Sequence, residues 1–281
     1  MTDARVDPLS GTRTVMVPDR QARPNLPGGS CPFCPGGIEA PAPYTTRWFP
    51  NRWPSLPDGR CEVHLFSPAH DASLASLGPE GVARVLELWA TRTEAQGRRP
   101  DVAYVLVFEN RGADAGATVL HPHGQLYAYA EIPPVPLREL RGDCALCGPS
   151  PPELVVVEAG GWRAVAPAAS PYPYELLIAP QAHTPDLPAA RATFPGAAMV
   201  ISSAMGALDR LLGAGAPYML WAHQRPTDGG RWPAAHIHLH VAPVWRAPGV
   251  VRYVAAAELG AGVFLNPVPP EDAAAALRPL A

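Results

Sequence analysis

Two Cys-x-x-Cys pairs, each followed by two histidines at matched distances, constrain this chain more than any other feature. Cys31 and Cys34 precede His70 and His121, and Cys144 and Cys147 precede His183 and His236. Cys34 to His70 is 36 positions, as is Cys147 to His183, and the following steps are 51 and 53. The text around the middle histidines agrees, SPAHDASLASL in one copy and APQAHTPDLPAA in the other, and HPHGQ and HIHLH fall at equivalent places. The spacing predicts two copies of one unit, residues 1–140 and 141–281, with the boundary near residue 141.

Each copy carries one helical pattern after its middle histidine. Val82, Val85, Leu86 and Trp89 follow the i, i+3, i+4, i+7 rule, and Ile201, Ala204, Leu208 and Leu211 do the same. Short β-rich runs flank them: VAYVLVF (102–108), LVVV (154–157), ELLIA (175–179) and HIHLHVAPV. Clusters of Pro, Gly and Asp separate these elements. The expected fold is α+β, with two strand-rich units side by side sharing a sheet.

Zinc takes four tetrahedral sulfur or nitrogen ligands, and C-x2-C supplies two thiolates from one turn. Cys31, Cys34, His70 and His121 form one candidate set; Cys144, Cys147, His183 and His236 form the other. With four protein ligands each, both read as closed, structural sites. Glu139, His223, His238 and His240 are also available near the second set, as its alternative. The remaining cysteine, Cys61, reads as a small buried residue.

Composition narrows the partners. Hydrophobic residues make up 47% and charged residues 17%, as in globular proteins, and Pro and Gly (37 and 25 of 281) predict many ordered loops. The net charge is −3 with no basic run, so no nucleic-acid partner is expected. No stretch reaches the roughly 18 uncharged apolar residues of a membrane span, and the N-terminus lacks a signal-peptide core. A cytoplasmic protein is expected. There is no lysine among the 22 basic residues. Schiff-base chemistry and a Walker-type phosphate lysine are therefore excluded, and any phosphate must meet arginine, backbone amides or neutral side chains.

In His121-Pro122-His123-Gly124-Gln125 an extended backbone would send His121, His123 and Gln125 to one face. Gly124 would leave room for a ligand near the backbone, and Pro122 calls for a sheet edge or strand end. Taken alone, the five residues fit either a metal ligand beside a reactive imidazole or two partly buried histidines with satisfied hydrogen bonds. If His121 holds metal, His123 is the imidazole left for chemistry. It can attack phosphorus when one ring nitrogen is fixed by a hydrogen bond and the other faces the substrate. Gln125, and Thr118 in the Gly116-Ala117-Thr118 turn, could donate to a phosphoryl oxygen.

FEN-x-G-x3-G-x-(S/T)-x2-HPHGQ resembles the signature of galactose-1-phosphate uridylyltransferases, in the histidine-triad superfamily. The similarity extends through DPLSGTRTVMVPDRQARPN (7–25), CPFCPGGIEAPAP, RWFPNRWPSL, GRCEVHLFSPAHDASLASL and VVRYVAAAELGAGVFLNPVPPEDAAAALR (250–278), nearly the whole chain. The resemblance implies two tandem histidine-triad-like repeats sharing a largely antiparallel sheet. It implies that His123 becomes uridylylated and that Gln125 contacts the transferred phosphoryl group. It also implies Arg20 and Arg23 near the nucleotide, Asn51 and Asn110 in its pocket, and Gly116 and Thr118 on the phosphate turn. Arg252 would face a phosphate and Glu258 would hold sugar hydroxyls. One or two structural zinc ions follow, with iron the other metal considered at the second site, and a homodimer whose active site borrows residues from its neighbour.

Departures from the pattern fall mainly on the sugar side. Thr118 replaces the usual serine, Ala117 a cysteine, Ala257 a larger residue, and Phe264 stands where some members have glutamine. The expected activity is uridylyl transfer from UDP-glucose to a hexose 1-phosphate such as galactose 1-phosphate, in two steps through a uridylyl-histidine. The substrates are thus a nucleotide sugar and a sugar phosphate. The alternatives are a phosphorylase passing AMP from an ADP-sugar or dinucleotide to phosphate, and a zinc-stabilised binding protein without turnover.

Overall fold

The computed structural model describes residues 3–22 and 30–281. A hairpin of β1 (Asp3–Val6) and β2 (Arg13–Met16) precedes the main body. The body is a single nine-stranded antiparallel sheet. The first repeat supplies β3 (Arg47–Pro50), β4 (Cys61–Leu65), β5 (Tyr104–Arg111) and β6 (His123–Tyr129). The second supplies β7 (Val155–Ala159), β8 (Trp162–Val165), β9 (Leu176–Pro180), β10 (Tyr218–His223) and β11 (His238–Pro243). A small ribbon, β12 (Trp245–Ala247) and β13 (Val250–Val251), leads to the C-terminal segment.

The strand order is β3-β4-β6-β5-β10-β11-β9-β8-β7, with β5 and β10 paired at the junction of the repeats. Outward from that junction the order runs β5, β6, β4, β3 on one side and β10, β11, β9, β8 on the other. Equivalent strands of the two copies therefore hold equivalent places. This is the shared antiparallel sheet expected of tandem histidine-triad-like repeats.

One sheet face is dry. Helix α1 (Gly78–Gly97) has Pro79 in its first turn, where proline's lack of an N–H costs nothing, and buries Val82, Val85, Leu86 and Trp89. A short α2 (Pro134–Glu139) links the repeats, and α3 (Phe194–Leu212) buries Ile201, Ala204 and Leu208, with Leu211 half-buried. Helices α1 and α3 pack on each other and on the sheet. The N-terminus of α3 sits so close to the β7–β8 turn that a Cβ on Gly196 would lie 2.2 Å from the Gly160 carbonyl oxygen. Helices α4 (Ala256–Ala261) and α5 (Pro270–Leu277) close the chain.

Strand alternation supplies the other face. In β5, Val105, Val107 and Glu109 are buried, whereas Leu106, Phe108 and Asn110 are half-buried. In β6, Gly124, Leu126 and Ala128 are buried, and His123, Gln125, Tyr127 and Tyr129 are not. The register sets Gln125, Phe108, Trp221 and His240 in one row across β6, β5, β10 and β11. The Trp221 and His240 rings stack at 4.8 Å and 11°. Both histidine motifs thus open onto the same side of the sheet.

Candidate active site and metal centres

The turn before β6 places the HPHGQ motif. Pro122 lies at the strand end, its carbonyl accepting from Phe66 N–H at 3.2 Å, although β6 itself is an interior strand. Gly124 is required here. A Cβ would come within 2.9 Å of the Phe108 carbonyl oxygen and 2.8 Å of Phe66 Cζ. His123 Nδ1 donates to the carbonyl of His121 at 2.8 Å. A carbonyl only accepts, so the proton is on Nδ1 and the lone pair is on Nε2.

His123 and Gln125 share a cleft with Phe33, Phe49, Asn51, Trp53, Val63 and Thr118, among others. Asn51 Nδ2 donates to Gln125 Oε1 at 3.3 Å, which turns the glutamine amide so that its own N–H groups remain as donors. The Phe33 ring meets the His123 imidazole edge-on at 5.1 Å. Gly116 follows the short 3-10 turn Ala113–Ala115 in a left-handed conformation (φ 83°), and a Cβ there would be 3.9 Å from Asn110 Nδ2. Arg20 reaches the same sheet face further along β6, its Nη1 donating to Tyr127 Oη at 3.1 Å. Arg23 lies outside the described residues.

Arg252 and Glu258 sit elsewhere. They form a buried ion pair, and Glu258 also accepts from the N–H groups of Ala255 and Leu265. The chain brings them to each other and leaves them off the cleft that holds His123. Sequence reasoning missed Phe33, Ile38, Glu39, Phe49, Arg52 and Trp53, which line that cleft. Their signal was proximity to CPFC and to Asn51, with no periodicity to show which way they point.

The cysteine sets converge as the spacing predicted. Cys34 Sγ lies 3.4 Å from His70 Nδ1 and 3.5 Å from His121 Nδ1. A tetrahedral zinc about 2.3 Å from sulfur and about 2.0 Å from nitrogen would hold the two about 3.5 Å apart, so the donors fit. His121 Nε2 is held by the Ser67 carbonyl and by Tyr44 Oη, each at 2.8 Å, leaving Nδ1 turned to the thiolates. The second set repeats the arrangement. Cys144 Sγ is 3.3 Å from His236 Nδ1, Cys147 Sγ is 3.1 Å from His183 Nδ1, and His236 Nε2 is 3.0 Å from the Pro180 carbonyl. Burial pushes the imidazoles of both His121 and His236 down, His236 to about 4, so both are neutral and able to ligate near pH 7.

One expectation needs correction. Glu139, His223, His238 and His240 are not an alternative to the second cysteine set but a third, separate cluster. Glu139 Oε2 is 2.7 Å from His223 Nδ1 and 3.5 Å from His238 Nε2. His238 Nδ1 is fixed by the His236 carbonyl at 2.8 Å, as His123 is by His121. Glu175 Oε1 lies 3.3 Å from His240 Nδ1, while the buried His240 Nε2 has no hydrogen-bond partner among the described residues. An imidazole steadied by a carboxylate on one nitrogen, with the other buried and unmatched, fits a metal ligand. Spacing alone cannot show that neighbouring histidines, His236 just before β11 and His238 at its start, turn to different clusters.

Residues 51–133 match the family model for the N-terminal domain of galactose-1-phosphate uridyl transferase. A galactose-1-phosphate uridylyltransferase of Streptomyces lividans is 34% identical across 100% of this chain and 87% of its own length. Among solved structures, a uridylyltransferase superposes with a TM-score of 0.90 at 27% identity, covering 100% of this chain and 98% of that one. An ADP-glucose phosphorylase from Arabidopsis thaliana, bound to ADP-glucose, superposes with a TM-score of 0.81 at 25% identity, covering 100% and 99%.

Proposed function

Because the chain belongs to the galactose-1-phosphate uridylyltransferase family, we propose that it moves a uridylyl group from UDP-glucose to galactose 1-phosphate through His123. The single observation that carries this reading is the His123 hydrogen bond to the His121 carbonyl, which presents Nε2 as the nucleophile. His123 Nε2 forms a bond to the α-phosphorus, and the bond to the departing glucose 1-phosphate breaks. A phosphate oxygen of galactose 1-phosphate then attacks the same phosphorus, the P–N bond breaks, and UDP-galactose leaves. Each half is an in-line displacement in which Gln125 and Thr118 donate to the charged equatorial oxygens. Asn51, Asn110, Gly116 and Arg20 hold the nucleotide, and the resemblance gives Arg23 the same role. Arg252 and Glu258 act on the sugar phosphate of a neighbouring subunit in a homodimer.

The two cysteine sets hold structural zinc, and the Glu139 cluster holds a third ion, zinc or iron. A bound ion at either cysteine set crosslinks a loop to the sheet. At the first set, His121 ties that crosslink to the orientation of His123. Among the described residues no helix is long and apolar enough to cross a membrane, and reduced thiols at both sets suit a cytoplasmic protein.

A second reading, adenylyl transfer from an ADP-sugar, is favoured by the likeness to the ADP-glucose phosphorylase. Weighing intact protein after incubation with UDP-glucose or ADP-glucose separates the two. A UMP adduct that is lost in His123→Asn and discharged by galactose 1-phosphate is expected. An AMP adduct alone would replace the first reading with the second.

A further inference from the structure

Two charged residues at the His123 cleft take no part in the transfer steps. Glu39 and Arg52 both line it, and Glu39 Oε1 lies 2.7 Å from Arg52 Nη2. The pair spans the cleft wall, because Glu39 follows the Cys31-x-x-Cys34 loop and Arg52 follows Asn51. Glu39 is held firmly. Its N–H donates to the Pro32 carbonyl at 3.0 Å, and its own carbonyl accepts from Arg47 Nε at 3.0 Å. Its side chain is only 21% exposed. Phe33, Phe49 and Trp53 line the same cleft and offer flat aromatic surface.

A carboxylate only accepts hydrogen bonds and a guanidinium only donates them. Side by side beside aromatic walls, they match a planar ring whose N–H neighbours a carbonyl. Uracil presents that edge. Cytosine has a bare nitrogen lone pair at the ring position where uracil has N–H, and a carboxylate there repels it. We propose that the Glu39–Arg52 pair reads the nucleobase edge, Glu39 accepting the ring N–H of uracil and Arg52 donating to the adjacent carbonyl. This assignment rests on the uridylyl-transfer reading and adds to it the residues that choose the base.

Glu39→Gln tests it, since an amide has both a carbonyl to accept from uracil and an NH2 to donate to cytosine. The measurement is the rate of His123 adduct formation from UDP-glucose and from CDP-glucose, with intact mass as the readout. The wild type should strongly prefer UDP-glucose, and Glu39→Gln should lower the UDP/CDP preference about tenfold, the worth of one mismatched hydrogen-bonding group. Glu39→Leu should slow UDP-glucose without improving CDP-glucose. An unchanged preference in Glu39→Gln, or a wild type that labels equally with both, overturns the base-reading role while leaving uridylyl transfer intact. A wild type that forms no UMP adduct defeats the underlying function and this inference with it.

Discussion

Glu109, within the FENRG sequence, is 1% exposed and points to the helical side of β5, away from its neighbour Asn110. Tyr218 Oη donates to it at 2.9 Å. Burial pushes its carboxyl up to about 7, against the hydrogen bond from Tyr218 and the charge of Arg111. The unfolded carboxyl titrates near its ordinary value of 4.5. Between these pH values the folded state binds the extra proton, so stability must fall as pH rises. Below both values the group contributes no such penalty. Denaturant titrations of wild type and Glu109→Gln should therefore diverge between pH 5 and 8. The wild type should lose on the order of 3 kcal/mol relative to the variant over that window. Parallel curves would show that the carboxyl ionises without cost. The pairing of His123 with Gln125 was legible at this scale because a period of two puts both on one face of β6. Glu39 and Trp53 were not, because loop residues carry no period. Arg252 and Glu258 were named from similarity alone, and in one chain they satisfy each other.

Among the elements, the stretch from β13 through α4 to Leu265 has an unusual surface. Tyr253, Leu259, Val263, Phe264 and Leu265 are all exposed, with Tyr253 at 81% and Leu259 at 72%. Underneath, Glu258, paired with Arg252, fixes the backbone by accepting from the Ala255 and Leu265 N–H groups. A rigid segment with an apolar exterior suits contact with a second copy. Light scattering should give twice the chain mass. In the proposed homodimer, Leu259→Glu should shift the protein to monomer and slow uridylyl transfer at least about tenfold, because each site would then lose its neighbour's Arg252 and Glu258. A fully active monomer would contradict the borrowed-residue arrangement. The helices were readable from their apolar stripes, which return in α1 and α3. The strands were harder. VAYVLVF, LVVV and ELLIA each correspond to strands displaced by one to three residues at an end, since apolar runs do not mark where pairing stops. β4, CEVHL, alternates apolar and polar residues yet was not among the expected strands, and the structure buries its Glu62 and His64 along with the other three.

For the molecule as a whole, seven of the nine histidines and four of the five cysteines fall in the three candidate clusters. Metal analysis of purified protein should find three ions per chain. Stripping them with a strong chelator should lower the melting temperature by roughly 10 °C or more, and readdition of zinc should restore it. Unchanged melting after complete removal would rule out a structural role. The matched cysteine–histidine spacing made the tandem architecture readable from the text alone. What the text lacked was the way the copies join. Hydrogen bonding passes without a break from β5 into β10, so the two repeats have no seam of side chains between them. Severed at the midpoint, each half would bare the amides and carbonyls of a central strand to water and to any passing chain.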